Sequence, residues 1–526
     1  MSTGRQMDER SPLNGSTPVR SAPARNRSQA QSRVAKIALG LLLTIGVTLA
    51  IYAARTTGSS NGSSTTSSHA APASAIATPG AGALINGSDA WACGKTSYDA
   101  RYIKLKNKKD DYYFYWFVES SSEPSKDPLV LWLTGGPGAS SMTALLTENG
   151  PCSINADLST TENPYSWTQQ ANVIWLDQPT GVGFSYSNAP KEDADRDEQN
   201  VGENIYWFLQ GFLEKHPEFD GREFFITGES YAGHYIPGAA HYIWLENKKN
   251  STRQAALKHI NLQGIAIGNG HTDPVIQYEH SADMASNRYN VSLLSDAQVN
   301  QMRKDAQQCI QLTKQCQEAP KEGSSCLDAE LCWNNKLIAP YGAAHRNSYD
   351  LRKACFNDVL VGSIAVCGFN FTAVEKYLAQ EPVRAALNVD VPKWVEVNSD
   401  VMMAFVTSGD FSFSYAPYVA DLLNDGIRVL IYAGDADLVC NWSGNQAWTL
   451  ALEWKGKEGF NAAVEKPFIA HDPLKKGNAK GVDAGVVRSF DNFAFLRVYE
   501  AGHMVPTDQP AVSLAMINKF FQNQEL

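Results

Sequence analysis

The sequence is relatively poor in basic residues. It has 45 Lys and Arg against 55 Asp and Glu, a formal net charge of -10 over 526 residues. Nucleic-acid binding needs a basic surface to hold phosphates, so the composition argues against DNA or RNA as a partner. No internal repeat is visible. With 43% hydrophobic residues, the chain can bury a large core, as one large domain or as two smaller ones.

Charge is absent from Ile37 to Ala54, a span close to the ~20 apolar residues that cross a bilayer as a helix. Among the residues before it lie Arg20, Arg25, Arg27, Arg33 and Lys36, and only Arg55 follows closely. The positive-inside rule therefore predicts a cytosolic basic tail over residues 1–36, a transmembrane signal-anchor helix over 37–54 and a lumenal remainder. A cleaved signal peptide is the alternative, although its apolar region and its leader would both be unusually long.

Residues 55–90 consist largely of Ser, Thr, Gly and Ala. Such a segment buries too little apolar surface to fold, so we predict a lumenal stalk, a natural site for O-linked sugars. Asn-X-Ser/Thr triplets fit the same secretory route. The predicted N-glycosylation sites are Asn61, Asn86, Asn250, Asn290, Asn370 and Asn441.

Six of the 9 cysteines crowd the region from Cys309 to Cys367. In a secretory chain this pattern indicates disulfides rather than a metal cluster. The odd total leaves one thiol free. Cys440 is the candidate, because it lies in the stretch GDADLVCNW, which looks most like a reaction site.

The folded region begins near Ser97 and alternates apolar runs with helical stretches. Runs that are apolar throughout are typical of strands buried on both faces, so we predict a mostly parallel sheet with helices on both faces. The runs are Leu129–Thr134, Asn172–Asp177, Glu223–Gly228, Leu262–Gly270, Arg428–Gly434 and Phe493–Tyr499. The interval of about 271–426 breaks the alternation and holds the cysteine cluster, so it is predicted to be an inserted cap stapled by disulfides.

Ser230 lies in GESYA, between a predicted strand and a predicted helix. Small residues two positions before and after a serine permit the sharp turn of a nucleophile elbow, although short Gly-X-Ser patterns also occur by chance. Asp437 and His503 each follow a later strand, which gives the order Ser, Asp, His found in α/β-hydrolases. Asp435 competes with Asp437 for the role of the acid. The joint placement of the three residue types predicts a catalytic triad on an α/β-hydrolase fold.

The loop GGPGASS follows the strand Leu129–Thr134. Its glycines would allow backbone N–H groups to approach a developing oxyanion without side-chain obstruction. Gly136 and Tyr231 are the predicted donors. The loop lacks the lysine of a phosphate-binding loop and the spacing of a dinucleotide fingerprint.

Together these motifs resemble the serine carboxypeptidases of the carboxypeptidase Y type, over about Ser97 to Phe521. The resemblance rests on LWLTGGPGASS, TENGP, LDQPTGVGFSYS, GESYAGHYIP, IGNGHTDP, YAGDADLVCNW and GHMVP. It implies a hydrolase that removes C-terminal residues from peptides at acidic pH, with no metal or cofactor. By the family pattern, Ser230 is the nucleophile, His503 the general base and Asp437 its orienting acid, while Cys440 and Met504 line the substrate site.

The resemblance also assigns the glutamate beside the nucleophile. Glu229 and Glu148 are implied to be paired carboxyls that recognise the substrate's C-terminal carboxylate, with Gly135 as a further donor. Two like charges held close do not ionise together easily, so at least one pKa is expected to rise. A protonated carboxyl would then bind a free C-terminus at low pH.

The loop departs from the family pattern, Asn-Gly-Gly-Pro-Gly-Cys, at two positions. Thr134 replaces the asparagine and offers one donor where an amide offers two, which bears on carboxylate affinity and on the balance between peptidase and esterase activity. Ala139 replaces the cysteine, whose usual partner, expected near VEVNSDV, is missing as well. The pairings implied by the resemblance are Cys309 with Cys332, Cys316 with Cys326, Cys355 with Cys367 and Cys93 with Cys152.

We therefore expect residues 91–526 to form a serine carboxypeptidase domain that acts on peptides or proteins with a free C-terminus. An acyltransferase or esterase on the same scaffold is the alternative, and a catalytically silent adhesion-type hydrolase fold is disfavoured because every catalytic position is filled. The predicted location is the secretory pathway. The catalytic domain is anchored in the lumen, or is vacuolar or extracellular if the N-terminus is cleaved.

Overall fold

A computed structural model describes residues 97–250, 257–319, 324–355, 359–361, 364–366, 368–389, 391–475 and 480–526. The predicted tail, membrane helix and stalk therefore lie outside the described residues. None of the helices within the described ranges combines the length and the hydrophobicity that crossing a bilayer requires.

The described strands are numbered in chain order. They are β1 (Tyr98–Lys104), β2 (Asp111–Val118), β3 (Leu129–Thr134), β4 (Cys152–Ile154), β5 (Thr160–Glu162), β6 (Asn172–Leu176), β7 (Tyr186–Ser187), β8 (Phe224–Glu229), β9 (Leu262–Gly268), β10 (Arg346–Asn347), β11 (Asp350–Ala354), β12 (Val359–Val361), β13 (Ile364–Val366), β14 (Arg428–Gly434), β15 (Lys466–Ala470), β16 (Val482–Phe490) and β17 (Phe493–Val498).

The described α-helices are numbered in the same way. They are α1 (Met142–Thr147), α2 (Glu198–Lys215), α3 (Ala232–Asn250), α4 (Pro274–Glu279), α5 (Asp296–Glu318), α6 (Ser324–Trp333), α7 (Ala339–Gly342), α8 (Thr372–Leu378), α9 (Glu381–Leu387), α10 (Ser399–Ser408), α11 (Ala416–Asn424), α12 (Trp442–Ala451), α13 (Lys457–Ala462), α14 (Val505–Asp508) and α15 (Pro510–Phe521). Single 3-10 turns span Trp167–Gln169, Pro217–Phe219, Asp283–Ala285 and Asp410–Ser412, and a π-helical turn spans Asn334–Ile338.

One large sheet forms the centre of the fold. Its strand order is β1-β2-β6-β3-β8-β9-β14-β17-β16-β15, with β7 paired to β2. The six strands from β6 to β17 in that order run parallel, while β1, β2, β15 and β16 add antiparallel flanks. The six apolar runs in the sequence correspond to these six parallel strands, which confirms the predicted α/β-hydrolase architecture.

The two faces of the sheet carry separate cores, because successive side chains of a strand point to opposite faces. Leu131 and Leu133 pack with α2 and α3 on one face, and Val130 and Trp132 pack with α1 and α15 on the other. Both faces are therefore buried under helices, which explains why the central strands lack polar alternation.

The long helices have local start signals in the sequence. The Asp197 side chain accepts a hydrogen bond from the backbone N–H of Asn200 and caps α2. Ser295 and Gln298 form a reciprocal capping box at the start of α5. Such caps satisfy N–H groups that have no partner within the helix, so each helix begins at these residues.

The interval between β9 and β14 contributes no described strand to the large sheet. It contains α4 to α11 and two small hairpins, β10-β11 and β12-β13. Its last helix, α11, packs its buried Val419 and Leu422 into the core on the α3 side of the sheet. This helix therefore belongs to the layer that covers the sheet, which the sequence pattern had placed in the cap.

Two disulfides join α5 to α6, Cys309–Cys332 and Cys316–Cys326. Both are pairings that the family resemblance implies. Cys152 and Cys355 are also disulfide-bonded, and the partners expected for them, Cys93 and Cys367, lie outside the described residues. Cys440 is a free, buried thiol.

Candidate active site

Ser230 lies in a sharp turn between β8, which ends at Glu229, and α3, which begins at Ala232. Its φ is 65°, in the left-handed region that non-glycine residues rarely adopt. The turn needs Gly228, because a Cβ there would come within 2.0 Å of the Leu133 carbonyl oxygen. The Ser230 backbone donates to the Gly268 carbonyl at 3.0 Å. This is the geometry of a nucleophile elbow.

Asp437 and His503 meet beyond the ends of β14 and β17. His503 Nδ1 lies 2.6 Å from Asp437 Oδ2, and both side chains are buried. Val439 and Cys440 donate their backbone N–H groups to the Asp437 carboxylate at 3.0 and 3.2 Å. β8, β14 and β17 run parallel within one sheet, with β9 between β8 and β14. Their C-terminal ends therefore bring Ser230, Asp437 and His503 to the same edge.

The Asp435 side chain does not contact His503. Its carboxylate accepts a hydrogen bond from Tyr289 and lies 3.4 Å from both Arg288 and Arg497. The geometry therefore separates the two candidate acids, since only Asp437 contacts His503. Within the described residues, the Ser230 hydroxyl makes no hydrogen bond, and Ser230 lines a cavity of about 320 Å³.

Gly136 and Tyr231 line that cavity together with Ser230. Among the described contacts, neither of their backbone N–H groups donates a hydrogen bond. Gly136 has a φ of 111°, and a Cβ on Gly135 would come within 2.3 Å of the Tyr231 nitrogen. Only glycines permit this close approach of the loop to the elbow. Two free N–H donors therefore lie beside the serine, as an oxyanion hole requires.

Glu148 and Glu229 are two buried carboxyls next to the nucleophile, with 5% and 2% of their surfaces exposed. Apart from each other, Glu148 finds no hydrogen-bond donor for either carboxyl oxygen in the described part of the chain. Burial raises the pKa of Glu148 to about 8. Burial and the Glu148 charge raise the pKa of Glu229 well above its usual range. This direction agrees with the expectation of a shared proton.

A family model described as serine carboxypeptidase matches residues 94–523. The chain belongs to the serine carboxypeptidase family. It is a serine-type carboxypeptidase, as the sequence motifs predicted.

Relatives and a solved structure agree with this assignment. A vacuolar serine-type carboxypeptidase of Saccharomyces cerevisiae is 39% identical over 80% of this chain and 78% of its own. The carboxypeptidase Y homolog A of Coccidioides posadasii is 40% identical over 79% of this chain and 73% of its own. The crystal structure of a prohormone-processing carboxypeptidase from S. cerevisiae superimposes with a TM-score of 0.68 at 26% identity, covering 81% of this chain and 92% of that one. Together with the disulfides, these relatives fit an enzyme of the secretory pathway.

Both departures from the family loop are visible in the carboxypeptidase structure. The Thr134 hydroxyl accepts a hydrogen bond from the Trp132 indole at 3.0 Å, which leaves its own proton available for donation. Ala139 forms an antiparallel bridge with Val397, inside the VEVNSDV stretch where the missing cysteine partner was expected. The two positions where the family has bonded cysteines therefore lie next to each other in this structure.

Cys440 and Met504 line two different cavities of the carboxypeptidase. Cys440 lines the cavity that holds Ser230, and burial raises the pKa of its thiol well above the usual range, with further contributions from Asp437 and Glu229. Met504 and His503 line a second cavity of about 180 Å³. No group of three or more His, Cys, Asp or Glu side chains among the described residues is arranged to hold a metal.

Two side chains at the site had no assigned role in the sequence argument. Asn269 donates to Asp437 Oδ2 at 2.9 Å; it lies within the quoted motif IGNGHTDP, which was the available signal. Tyr349 lines both cavities, its ring centroid is 4.9 Å from that of His503, and its carbonyl accepts the His503 backbone N–H at 2.8 Å. No motif marked Tyr349, because its contact with His503 spans more than 150 residues of sequence.

The predicted glycosylation sites have different surroundings. Asn290 and Asn370 are exposed. Asn441 is buried, and its side-chain oxygen accepts the Gly444 N–H at 2.8 Å to cap α12. A buried capping amide leaves little room for a sugar, which argues against the predicted glycosylation of Asn441. Asn61, Asn86 and the Asn250 side chain lie outside the described residues.

Proposed function

We propose that this carboxypeptidase releases C-terminal residues from peptides and proteins through an acyl-enzyme on Ser230. His503 takes the serine proton at Nε2, because Asp437 occupies Nδ1 and fixes the tautomer. The Gly136 and Tyr231 N–H groups stabilise the oxyanion of each tetrahedral intermediate. His503 then protonates the leaving amine, and water attacks the acyl-enzyme by the same route in reverse.

The pair Glu148 and Glu229 is the observation that carries this proposal. A protonated carboxyl donates a hydrogen bond to the terminal carboxylate of a bound peptide, whereas two ionised carboxylates would repel it. The Thr134 hydroxyl and the Gly135 backbone add donors on the same side. This arrangement selects a substrate with a free C-terminus and favours acidic pH, where the pair retains its proton.

The test compares three matched substrates: a blocked dipeptide with a free C-terminus, the same peptide amidated, and a simple ester. We expect the free acid to be preferred at acidic pH and the preference to shrink as pH rises. Ser230→Ala should lower kcat by about 10⁶, and a fluorophosphonate should label Ser230. Labelling of another serine would refute the nucleophile. Equal use of the free acid and the ester at acidic pH would favour the esterase or acyltransferase alternative.

We further propose that the catalytic domain, residues 91–526 with an insertion of about 271–426, is held in the lumen by the helix 37–54, with residues 1–36 in the cytosol and 55–90 as a stalk. The charge asymmetry around the helix and the disulfides support this topology. The full-length protein should remain with membranes after alkaline carbonate extraction. A soluble product that begins beyond Ala54 would instead indicate cleavage and a vacuolar or extracellular enzyme.

A further inference from the structure

Glu330 lies in the wall of the cavity that holds Ser230. The other described lining side chains are uncharged or aromatic, apart from His271, whose pKa burial lowers to about 4. Glu330 makes no hydrogen bond or ion pair among the described residues, and burial alone raises the pKa of its carboxyl to about 7. A carboxyl without a partner in an apolar wall is unfavourable for the free enzyme, so a role with a bound ligand would explain it.

The two cavities are expected to hold the residues on either side of the scissile bond. Thr147, His503, Met504 and Asp508 line the second cavity. Thr147 precedes Glu148 in the sequence, and the charge of Asp508 acts on Glu148. If the carboxyl pair binds the C-terminus, as the proposed function requires, the leaving residue lies on that side. The cavity with Gly136, Tyr231 and Glu330 then receives the side chain of the penultimate residue.

The position of Glu330 is rigid. It lies on α6 between Cys326 and Cys332, and each of these cysteines forms a disulfide with α5. Glu330 is half-buried, so the fold has already removed part of the water around this carboxyl and holds it in place. A cation that pairs with it is spared that part of the desolvation and ordering cost.

We propose that Glu330 makes this carboxypeptidase selective for substrates with lysine or arginine as the penultimate residue. The cavity volume of about 320 Å³ accommodates a long side chain, whose methylenes lie against the apolar wall while the cationic head reaches Glu330. Trp333 and Phe411 line the same cavity, and aromatic rings also attract cations. The alternative is an apolar pocket for any long side chain, which predicts that norleucine is used at least as well as lysine.

The test uses blocked dipeptides that share one C-terminal residue and differ only in the penultimate residue: lysine, arginine, norleucine or glutamate. Norleucine resembles lysine in its methylene chain but has no charge. In the wild type near pH 7, kcat/KM for lysine should exceed that for norleucine by about tenfold or more. The ratio should fall toward pH 5 as Glu330 gains its proton. His271, Tyr231, Tyr349 and Cys440, which line the same cavity, are not expected to change charge over that range. A ratio of one or less near pH 7 overturns the proposal without any variant.

Glu330→Gln keeps the shape and removes the charge. It should reduce the lysine-to-norleucine ratio to about one and leave kcat/KM for norleucine within about twofold. Asp328→Asn is the matched control, since Asp328 is exposed on the same helix and does not line the cavity; it should retain the wild-type ratio. An equal loss for all four peptides in Glu330→Gln would indicate a structural role and overturn the proposal. If free-acid and amidated peptides were used equally, the carboxylate-recognition proposal would fail separately.

Discussion

Thr134 and Glu229 are register partners on the adjacent parallel strands β3 and β8. This pairing places the residue that replaces the family asparagine beside one of the two buried carboxyls. The Thr134 hydroxyl has one proton to donate and already accepts from Trp132.

Thr134→Asn should improve binding of free-acid peptides. An asparagine oxygen can accept from the Trp132 indole while its NH₂ group donates to the substrate carboxylate, so KM should fall about three- to tenfold, the effect of one added hydrogen bond. The measurement is KM for a free-acid peptide and its amide, with Thr134→Ser as the control. An equal change for the amide would show that position 134 does not recognise the C-terminus.

Glu229→Gln should flatten the alkaline loss of peptide affinity. In the wild type, rising pH ionises the Glu148 and Glu229 pair, which leaves like charges facing the substrate carboxylate and raises KM as pH approaches the Glu148 pKa of about 8. Glutamine keeps a neutral donor without titrating. KM against pH should be compared for free-acid and amidated peptides in both proteins. The amide has no C-terminal carboxylate, so it should not show this alkaline loss of affinity. Identical wild-type profiles for the two substrates would rule out this role.

Asp437→Asn and Asp435→Asn form a matched pair two residues apart. Only Asp437 contacts His503, so Asp437→Asn should lower kcat by about 10⁴, the loss seen when a triad aspartate becomes an amide. Asp435→Asn weakens the contacts of a buried carboxylate with two arginines, away from His503, and should keep most of the activity. The check is kcat for both variants with circular dichroism to confirm folding. A large loss for Asp435→Asn alone would reverse the assignment.

Cys440 should make the carboxypeptidase sensitive to mercurials. Its thiol is free and lines the cavity with Ser230, so a bound mercury atom would block the substrate. Its raised pKa disfavours the thiolate, so iodoacetamide should react slowly at neutral pH. Cys440→Ser should abolish mercurial inhibition and keep most activity. Persistent inhibition of that variant would place the sensitive group elsewhere.

The protein should be more stable in acid than at neutral pH. Burial raises the pKa of Glu148 to about 8 and those of Asp111, Asp177 and Asp410 to about 7. Unfolded carboxyls titrate near ~4, so the folded state binds more protons between about pH 4 and about pH 8 and loses stability as pH rises through that window. Tm measured across this range should therefore fall with increasing pH.

Glu198→Gln tests the same point at one residue. Glu198 is buried without a hydrogen-bond donor for its carboxyl in the described region, and burial raises its pKa well above the usual range. The variant should raise Tm at neutral pH and change it little in acid. Glu214→Gln, at an exposed position on the same helix, should leave the pH dependence of Tm unchanged. No difference between these variants would refute the buried-carboxyl explanation.

The amino-acid sequence by itself determined the central strands and the order of the catalytic residues. Strands buried on both faces are apolar at nearly every position, and the elbow needs small residues around Ser230, so both features are local patterns. None of the flanking strands β1, β2, β15 and β16 was predicted. Exposed residues of mixed polarity lie along β1, β15 and β16, so these strands lack the continuous apolar run of the central strands. Helix α11 was placed in the cap because its packing against the sheet is not encoded in its own periodicity.

The tertiary structure alone decided which side chains meet. Asp435 and Asp437 look alike in the sequence, and only the loop after β14 turns one toward His503 and the other toward Tyr289. Asn441 reads as a glycosylation site, yet it caps a buried helix end. Glu330 is one of two acids on a helix of the insertion, and it becomes distinctive only when the fold brings that helix beside Ser230, 100 residues away in sequence. Contacts across such separations depend on packing, which no short pattern of residues specifies.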